Sequence, residues 1–332
     1  MKLAIFNAQT YDKLYFDQQN ARFCHQLHYL DFHLDVRTVK LARSCEGVCA
    51  FVNDPVGADI LTAMSKSAIR YLLLRSAGFN HVDLQAAAER KILVANVPEY
   101  SPYAVAEHAT ALILSLIRKL ARSHARVREG NFSLDGLMGY DLHGKTAGIV
   151  GTGRIGTVMA RIMGGFGCRI LACDPDPSEV CRDLGVEYVS LPVLFGDADI
   201  ISLHCPLTPA TLHLIDSAAV AAMKPGVCLI NTGRGALIDT RAIIAGIKSG
   251  KIGYLGLDVY EEEEGMFFED CSDRILQDDI FARLLTFPNV EITGHQAFFT
   301  HEAMTNIARI TLENARQLER TGRCDNLVRP PG

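Results

Sequence analysis

Short apolar runs alternate along the chain with stretches in which apolar residues recur every three or four positions. The first pattern is typical of strands buried on both faces, and the second of helices that cover a sheet. Their regular alternation predicts strand–helix–strand units, and therefore an α/β fold with parallel sheets. Strands are expected at Lys2–Asn7, Leu34–Val39, Gly47–Val52, Tyr71–Leu74, Leu93–Ala95, Thr146–Val150, Arg169–Cys173, Ile200–Leu203, Val227–Asn231, Tyr254–Leu257 and Val290–Ile292.

Two positions are typical of crossings between domains. Ser101-Pro102 supplies an N-cap and a first helical residue, and a long apolar helix is expected from Tyr103 to about Arg122. The second crossing lies near His295, before a final helix expected from about Thr300 to Arg320. These crossings predict a discontinuous domain of residues 1–100 and 298–332, a second domain of residues 101–297, and a cleft between them, where small molecules usually bind.

A glycine-rich turn, Gly151-Thr152-Gly153-Arg154-Ile155-Gly156, opens a helix expected at Arg154–Gly164. Gly151 permits the tight turn, Gly153 lets the backbone approach a pyrophosphate, and Gly156 lets helix and strand pack closely. The helix N-terminus adds NH groups and a partial positive charge. The turn therefore predicts a dinucleotide site, and the expected fold class is α/β with two Rossmann-like, doubly wound parallel-sheet domains.

Asp174 ends the strand that follows this turn, about 20 residues after it, where such sites hold the ribose. A carboxylate accepts hydrogen bonds from both ribose hydroxyls and repels a 2′-phosphate. The next residues, Pro175, Asp176 and Pro177, offer that phosphate no partner. The pattern favours NAD over NADP.

Arg234 lies between glycines just after the strand that ends at Asn231. The carboxyl end of a strand is where α/β sheets bind ligands. A guanidinium is planar and permanently charged, so it suits bidentate capture of a carboxylate. Arg234 is therefore a candidate for holding an acidic substrate.

His295 also follows a strand, and the unperturbed pKa of histidine, about 6.5, suits a general acid–base. His204 is its chief rival, because it too follows a strand. A carboxylate beside an imidazole would favour the imidazolium, and the run Glu261–Glu264 offers four candidates among which the pattern does not choose. A dinucleotide site, a cation and an acid together predict hydride transfer between nicotinamide and a small 2-oxo or 2-hydroxy acid.

The composition agrees with a cytosolic enzyme. Of the 332 residues, 48% are hydrophobic and 21% charged, which is ordinary for a globular protein of two domains. The net charge of −5 argues against a nucleic-acid partner, and no run is long and apolar enough to predict a membrane span. The ten cysteines lack the Cys-x-x-Cys spacing of metal sites, so reduced thiols and a cytoplasmic location are expected.

In order along the chain, GTGRIG, Asp174, LHCPLT, NTGRG, LDVYEEE and TGHQAF resemble the D-2-hydroxyacid dehydrogenase family. The resemblance extends over essentially the whole chain, including the segments 75–80 and 96–101. It implies that Arg234 binds substrate, that His295 donates the proton and that Glu263 is the carboxylate partner of His295. It also implies NAD as the cofactor, with contacts at Gly151, Gly153, Arg154, Ile155, Gly156, Asp174, Cys205, Pro206, Thr211, Thr232, Gly233 and Asp258.

The same resemblance implies how the substrate is held. The backbone at Ala77 and Gly78 would help Arg234 to bind the substrate carboxylate. Tyr100, Phe298 and Phe299 would shape the pocket for its side chain. The stretches 267–270 and 277–279 resemble an insertion of the branch that reduces pyruvate reversibly to D-lactate, so pyruvate is the expected substrate.

Other functions of this fold stay open at this point. The substrate could be hydroxypyruvate, glyoxylate or a branched 2-oxo acid. A protein that senses nicotinamide and recruits partners would bind NAD without turnover. Formate dehydrogenase has Gln where Glu263 stands, which disfavours that activity. Relatives commonly form dimers or tetramers, and the helix after Pro102 is apolar on more than one face, so a homo-oligomer is expected.

Overall fold

The computed structural model describes residues 1–67, 69–263 and 265–330. The chain divides into two compact units. The first unit comprises Met1–Ser101 and Phe299–Gly332, and the second comprises Pro102–Phe298. Each has its own buried apolar core.

The elements of Met1–Ser101 alternate strand and helix, as the hydrophobic pattern predicts. In chain order they are β1 (Lys2–Ile5), α1 (Thr10–Asn20), β2 (Gln26–Tyr29), a 3₁₀ turn (Val39–Ala42), β3 (Gly47–Ala50), α2 (Ala58–Lys66), β4 (Tyr71–Leu74), α3 (Leu84–Glu89) and β5 (Leu93–Ala95).

The second unit begins with two helices and then continues the alternation. Its elements are α4 (Pro102–Arg118), α5 (Leu120–Arg128), β6 (Thr146–Val150), α6 (Arg154–Gly165), β7 (Arg169–Cys173), α7 (Glu179–Asp183), β8 (Glu187–Tyr188), α8 (Leu191–Asp197), β9 (Ile200–Leu203), α9 (Ser217–Ala222), β10 (Val227–Asn231), a 3₁₀ turn (Gly235–Leu237), α10 (Thr240–Lys248), β11 (Ile252–Leu257), α11 (Asp279–Leu285) and β12 (Val290–Ile292).

The last elements, α12 (His301–Thr321) and β13 (Leu327–Val328), complete the first unit. Its described strands run in the order β13-β5-β4-β3-β1-β2 and are parallel, except that β13 pairs with β5 in the antiparallel sense. Helix α12 packs against α1 and β4. A buried hydrogen bond from Nε2 of His25 to the carbonyl of Leu312, at 3.2 Å, also ties the two parts of this unit together.

The second sheet is parallel throughout its described strands, in the order β12-β11-β10-β9-β6-β7-β8. The connections run one way from β6 through β8 and the other way from β9 through β12. The order therefore reverses between β6 and β9. In open α/β sheets, ligands bind beyond the carboxyl ends of the strands at such a reversal.

The expected strand at Leu34–Val39 is wrong. In this segment Oδ1 of Asp35 accepts hydrogen bonds from the backbone NH of Arg37, at 2.6 Å, and of Thr38, at 2.7 Å. These local bonds hold a turn, which competes with strand pairing. The strand between β1 and β3 in sequence is β2, a mostly polar edge strand that alternates exposed and half-buried residues.

The long helix expected to reach Arg122 ends at Arg118 instead. Lys119 has a φ of 53°, in the left-handed region, and breaks the chain of helical hydrogen bonds before α5. The apolar faces of α4 are buried in the core of its own unit, against α6, β11 and β10. Burial in the core of this unit therefore explains why α4 is apolar on more than one face. Helix α5 buries none of its side chains.

Gly156 fixes the distance between α6 and the turn beneath it. A Cβ at this position would lie 1.9 Å from the carbonyl oxygen of Gly151, which is backbone and cannot move aside. We expect Gly156→Ala to lower the free energy of unfolding by about 1–3 kcal/mol, the usual range for overpacking. Urea or thermal unfolding measures this change.

Gly164 lies on the same helix, and a Cβ there meets no atom within 4 Å. Gly164→Ala is therefore the matched control and should be neutral or raise stability by up to about 1 kcal/mol. Equal destabilisation by the two substitutions would contradict the close approach at Gly156.

Candidate active site

The glycine-rich turn lies where the order of the second sheet reverses. Gly151 follows β6 with a φ of 92°, and its α-carbon packs against the backbone of His204 and Cys205, which follow β9. An ideal Cβ on Gly153, in contrast, meets no protein atom within 4 Å. The second glycine therefore leaves open space above the N-terminus of α6, as a bound pyrophosphate requires.

Asp174 is held against this turn from the end of β7. Its Oδ2 accepts hydrogen bonds from the backbone NH of Thr152, at 2.6 Å, and from Oγ1 of Thr152, at 3.2 Å. Its Oδ1 accepts from the backbone NH of Asp176, at 2.8 Å. Tyr188, which the sequence analysis missed, donates to Oγ1 of Thr152 at 2.8 Å and supports the arrangement from β8. Hydrogen bonds thus join the carboxylate of Asp174 directly to the glycine turn.

Arg234, Glu263 and His295 follow β10, β11 and β12, three adjacent parallel strands. Their side chains therefore belong to the same edge of the sheet. Nη1 of Arg234 donates to the carbonyl of Gly233 at 2.7 Å, and Nδ2 of Asn231 donates to the carbonyl of Arg234 at 2.8 Å. Among the residues that the structure describes, no carboxylate forms an ion pair with Arg234, so no internal anion competes with a ligand for its guanidinium.

His295 and Glu263 form a close pair. Nδ1 of His295 lies 3.0 Å from Oε1 of Glu263, and the side chain of His295 is only 15% exposed. The other oxygen of Glu263 accepts a hydrogen bond from the backbone NH of Tyr260, at 3.1 Å. The ring of Phe268 packs against the imidazole, with the centroids 5.3 Å apart. Of the glutamates 261–263 it is Glu263 that meets the histidine; Glu264 lies outside the described residues.

His204 is unsuited to be a proton donor. Burial lowers the pKa of His204 to about 4, so this imidazole is neutral at neutral pH. Its Nε2 lies 2.9 Å from Oγ of Ser202 on the preceding strand. The geometry therefore favours His295 over its rival.

Asp258 fixes the loop that carries His295. Its fully buried carboxylate accepts hydrogen bonds from Oγ1 of Thr293, at 2.6 Å, and from the backbone NH groups of Gln296 and Ala297, both at 2.8 Å. His108 on α4, absent from the sequence analysis, lies 3.5 Å away. Burial raises the pKa of Asp258, but these hydrogen bonds outweigh it and leave the pKa below its usual value. The ionised carboxylate thus anchors the residues on both sides of His295.

The other predicted cofactor contacts lie on the same sheet edge. Cys205 and Pro206 follow β9, and Oγ1 of Thr211 donates to the carbonyl of Pro206 at 2.6 Å, which closes that turn. Thr232 and Gly233 follow β10. The hydroxyl of Thr232 is buried and has no hydrogen-bond partner among the described residues.

The first unit holds the remaining predicted substrate contacts, apart from Phe298. Ala77 and Gly78 follow β4, and Asn96, which the sequence analysis did not single out, donates from Nδ2 to the carbonyl of Ala77 at 2.8 Å. Oγ of Ser76 donates to the carbonyl of Gly78 at 2.7 Å. These bonds hold the carbonyls and leave the loop's NH groups for other acceptors.

Aromatic side chains of the first unit pack beside the predicted pocket residues. The ring of Tyr11 meets that of Phe299 edge to face, with the centroids 4.7 Å apart. Burial raises the pKa of Tyr11 to about 12. Nδ2 of Asn306 donates to the carbonyl of Tyr100 at 2.8 Å and fixes its backbone.

No helix in the described part of the chain has the length and apolarity to cross a bilayer. The ten cysteines are free thiols, and four of them, Cys45, Cys49, Cys181 and Cys228, are buried.

Comparison with known proteins agrees with this geometry. Residues 110–297 match the family model of the D-isomer specific 2-hydroxyacid dehydrogenase, NAD binding domain. D-lactate dehydrogenase of Escherichia coli (strain K12) is 51% identical over 98% of this chain and 99% of its own length.

Two solved structures resemble the whole chain. The apo-structure of the D-lactate dehydrogenase from E. coli aligns with a TM-score of 0.91 and 49% identity, over 99% of this chain and 100% of that one. The D-lactate dehydrogenase with NAD⁺ from Lactobacillus jensenii has a TM-score of 0.83 and 30% identity, over the same shares. The family model and the solved structures with NAD identify NAD as the cofactor of residues 110–297, and the chain belongs to the D-isomer-specific 2-hydroxyacid dehydrogenase family.

Proposed function

We propose that this protein is an NAD-dependent D-lactate dehydrogenase that reduces pyruvate reversibly to D-lactate. The observation that carries the proposal is the His295–Glu263 pair, which shares a sheet edge with the guanidinium of Arg234. A carboxylate-backed acid and a permanent cation are what reduction of a 2-oxo acid requires. The similarity to D-lactate dehydrogenases over nearly the full chain supports this substrate class.

In the proposed reaction, Arg234 binds the substrate carboxylate and polarises the adjacent carbonyl. The backbone NH groups of Ala77 and Gly78 are candidates for a second carboxylate contact. Bound NADH supplies the hydride that reaches the carbonyl carbon. Nδ1 of His295 is engaged by Glu263, so Nε2 carries the proton that goes to the carbonyl oxygen. Oxidation of lactate reverses both transfers, with neutral His295 as the base.

The proposed substrate is small. We propose that the rings of Phe298, Phe299 and Tyr100 surround the substrate's side chain. Because these rings are bulky, they would leave space only for a group as small as a methyl. The proposal includes the cofactor contacts expected from the sequence. It also assigns substrate binding to the domain of residues 1–100 and 298–332 and NAD binding to residues 101–297. A cytoplasmic location belongs to this proposal as well, because the ten cysteines are all free thiols.

Steady-state NADH oxidation with pyruvate, hydroxypyruvate, glyoxylate and branched 2-oxo acids tests the function. We expect the highest kcat/KM with pyruvate and a D product in a chiral assay. His295→Asn should lower kcat by about 100-fold or more, because the general acid is lost. Asn tolerates the positive φ of 54° at this position, so the backbone is not strained further.

His28→Ala, which removes an exposed histidine from edge strand β2, is the control and should leave kcat unchanged. Preference for another 2-oxo acid would reassign the substrate. NAD binding without turnover on every acid would identify a nicotinamide-sensing protein instead.

Asp174→Ala should weaken NADH binding and raise the NADPH-to-NADH ratio of kcat/KM by about tenfold or more. The ribose loses its carboxylate partner, and a 2′-phosphate no longer meets a negative charge. Kinetics with both cofactors measure the ratio. Asp176→Ala removes an exposed carboxylate two residues away and should leave the ratio unchanged. An unaltered preference in Asp174→Ala would remove this residue from the ribose site.

We further propose that the protein is a homodimer or homotetramer whose subunits meet at residues 120–138. This segment, the outer arm, contains α5 and exposes Leu120, Val127, Phe132, Leu134 and Met138, the last three by 74%, 82% and 87%. Large contiguous apolar exposure is typical of an interface. A second copy of the chain, which carries the same apolar arm, would cover it in a symmetric assembly.

Sedimentation velocity tests this assembly. The wild type should sediment as an oligomer, and Phe132→Ser combined with Met138→Ser should shift it toward the monomer without loss of helix content. Ile275→Ser is the matched control, because Ile275 is 85% exposed outside the arm. A monomeric wild type, or an arm variant that sediments like the wild type, would contradict the proposed interface.

A further inference from the structure

His213 and Glu261 form an ion pair beside the proposed catalytic residues. Nε2 of His213 lies 2.5 Å from Oε1 of Glu261. The other carboxylate oxygen, Oε2, accepts hydrogen bonds from Oγ1 of Thr240, at 2.8 Å, and from its backbone NH, at 3.3 Å. Glu261 is therefore held by two other segments of the chain, one before β10 and one after it.

The loop of His213 is also bonded to the loop that carries Arg234. The backbone NH of His213 donates to the carbonyl of Ala236 at 2.8 Å, and that of Ile215 donates to the carbonyl of Leu237 at 3.0 Å. Ala236 lies two residues after Arg234. His213 thus joins the Arg234 loop through its backbone and the Glu261 segment through its side chain.

The Arg234 loop and the glutamate segment are in direct contact as well. A Cβ on Gly235 would lie 2.1 Å from the carbonyl group of Tyr260 and 2.4 Å from the nitrogen of Glu261. The two backbones therefore pack without a side chain between them. Glu263, the partner of His295, lies two residues after Glu261. A shift of either loop would move a proposed catalytic group.

His213 is held in an unfavourable backbone conformation, with a φ of 51°. Non-glycine residues adopt this region where surrounding contacts over-determine them. The side chains of His213 and Glu261 are 41% and 23% exposed, and ion pairs this exposed contribute little to global stability. The position of catalytic groups is far more sensitive, because a displacement near 1 Å can cost about 100-fold in rate.

We propose that the His213–Glu261 pair is a positioning device that keeps Arg234 and Glu263 in register. Neither residue is a catalytic residue, since the pair acts through the two loops that it joins. The inference rests on the proposed function and adds two residues that determine the catalytic efficiency of the proposed reaction. The interaction is local to the second unit.

Steady-state kinetics of Glu261→Ala, His213→Ala and the double variant test the proposal. Each single variant should raise the KM for pyruvate and lower kcat, each by about tenfold, because the Arg234 and Glu263 loops lose their common tie. The double variant should be no worse than Glu261→Ala, because both substitutions break one link. His213→Gln keeps a donor nitrogen at similar reach and should restore most of kcat/KM.

Glu262→Ala is the matched control, because it removes the same charge from the exposed neighbouring residue. It should leave both constants unchanged. A merely structural role would lower the melting temperature of the His213 and Glu261 variants but leave KM and kcat within twofold, and that result would overturn the proposal. His213 lies on a partly exposed loop, so His213→Ala keeps the test decisive if Glu261→Ala folds poorly.

If none of the 2-oxo acids tested supports oxidation of NADH by the wild-type protein, the proposed function is overturned and this inference with it. An active wild type with unaffected His213→Ala and Glu261→Ala variants would overturn this inference alone.

Discussion

The 3.0 Å contact between Nδ1 of His295 and Oε1 of Glu263 is the interaction on which the proposed chemistry depends. It engages one ring nitrogen and leaves the other for a substrate oxygen. Each partner is fixed from behind. The backbone NH of Tyr260 holds the carboxylate, and Asp258 holds the residues on both sides of the imidazole. The side chains in the site are therefore positioned before any substrate arrives, as efficient proton transfer requires.

Parallel pairing explains how distant residues reach one site. Arg234, Glu263 and His295 follow adjacent strands, and Gly151 and Asp174 follow two others in the same sheet. Because every described strand of this sheet points the same way, each residue that follows a strand joins one edge. Strand ends that carry glycines, a carboxylate or a histidine are therefore readable from the sequence as parts of one candidate site.

Other features could not be read from local pattern. The four consecutive glutamates look alike in local pattern; the family resemblance implies Glu263, and the path of the chain brings Glu263, of the residues 261–263, to His295. Asn96 and His213 act through partners 19 and 48 residues away, and His108 lies 3.0 Å from Oγ1 of Thr293, 185 residues away; no periodicity encodes such contacts. The prediction of a strand at Leu34–Val39 was wrong because of a local effect. The hydrogen bonds that Asp35 accepts from its neighbours form a turn, and hydrophobic alternation does not indicate such bonds.

The first unit is built from both ends of the chain, with β13 on the edge of β5 and α12 against α1. Ribosomes add about 5–20 residues per second, so Pro102–Phe298 emerges completely while the first sheet still lacks a helix and an edge strand. The cofactor-binding half can then fold during translation. The N-terminal strands, although made first, keep part of their apolar surface uncovered until α12 and β13 have followed them.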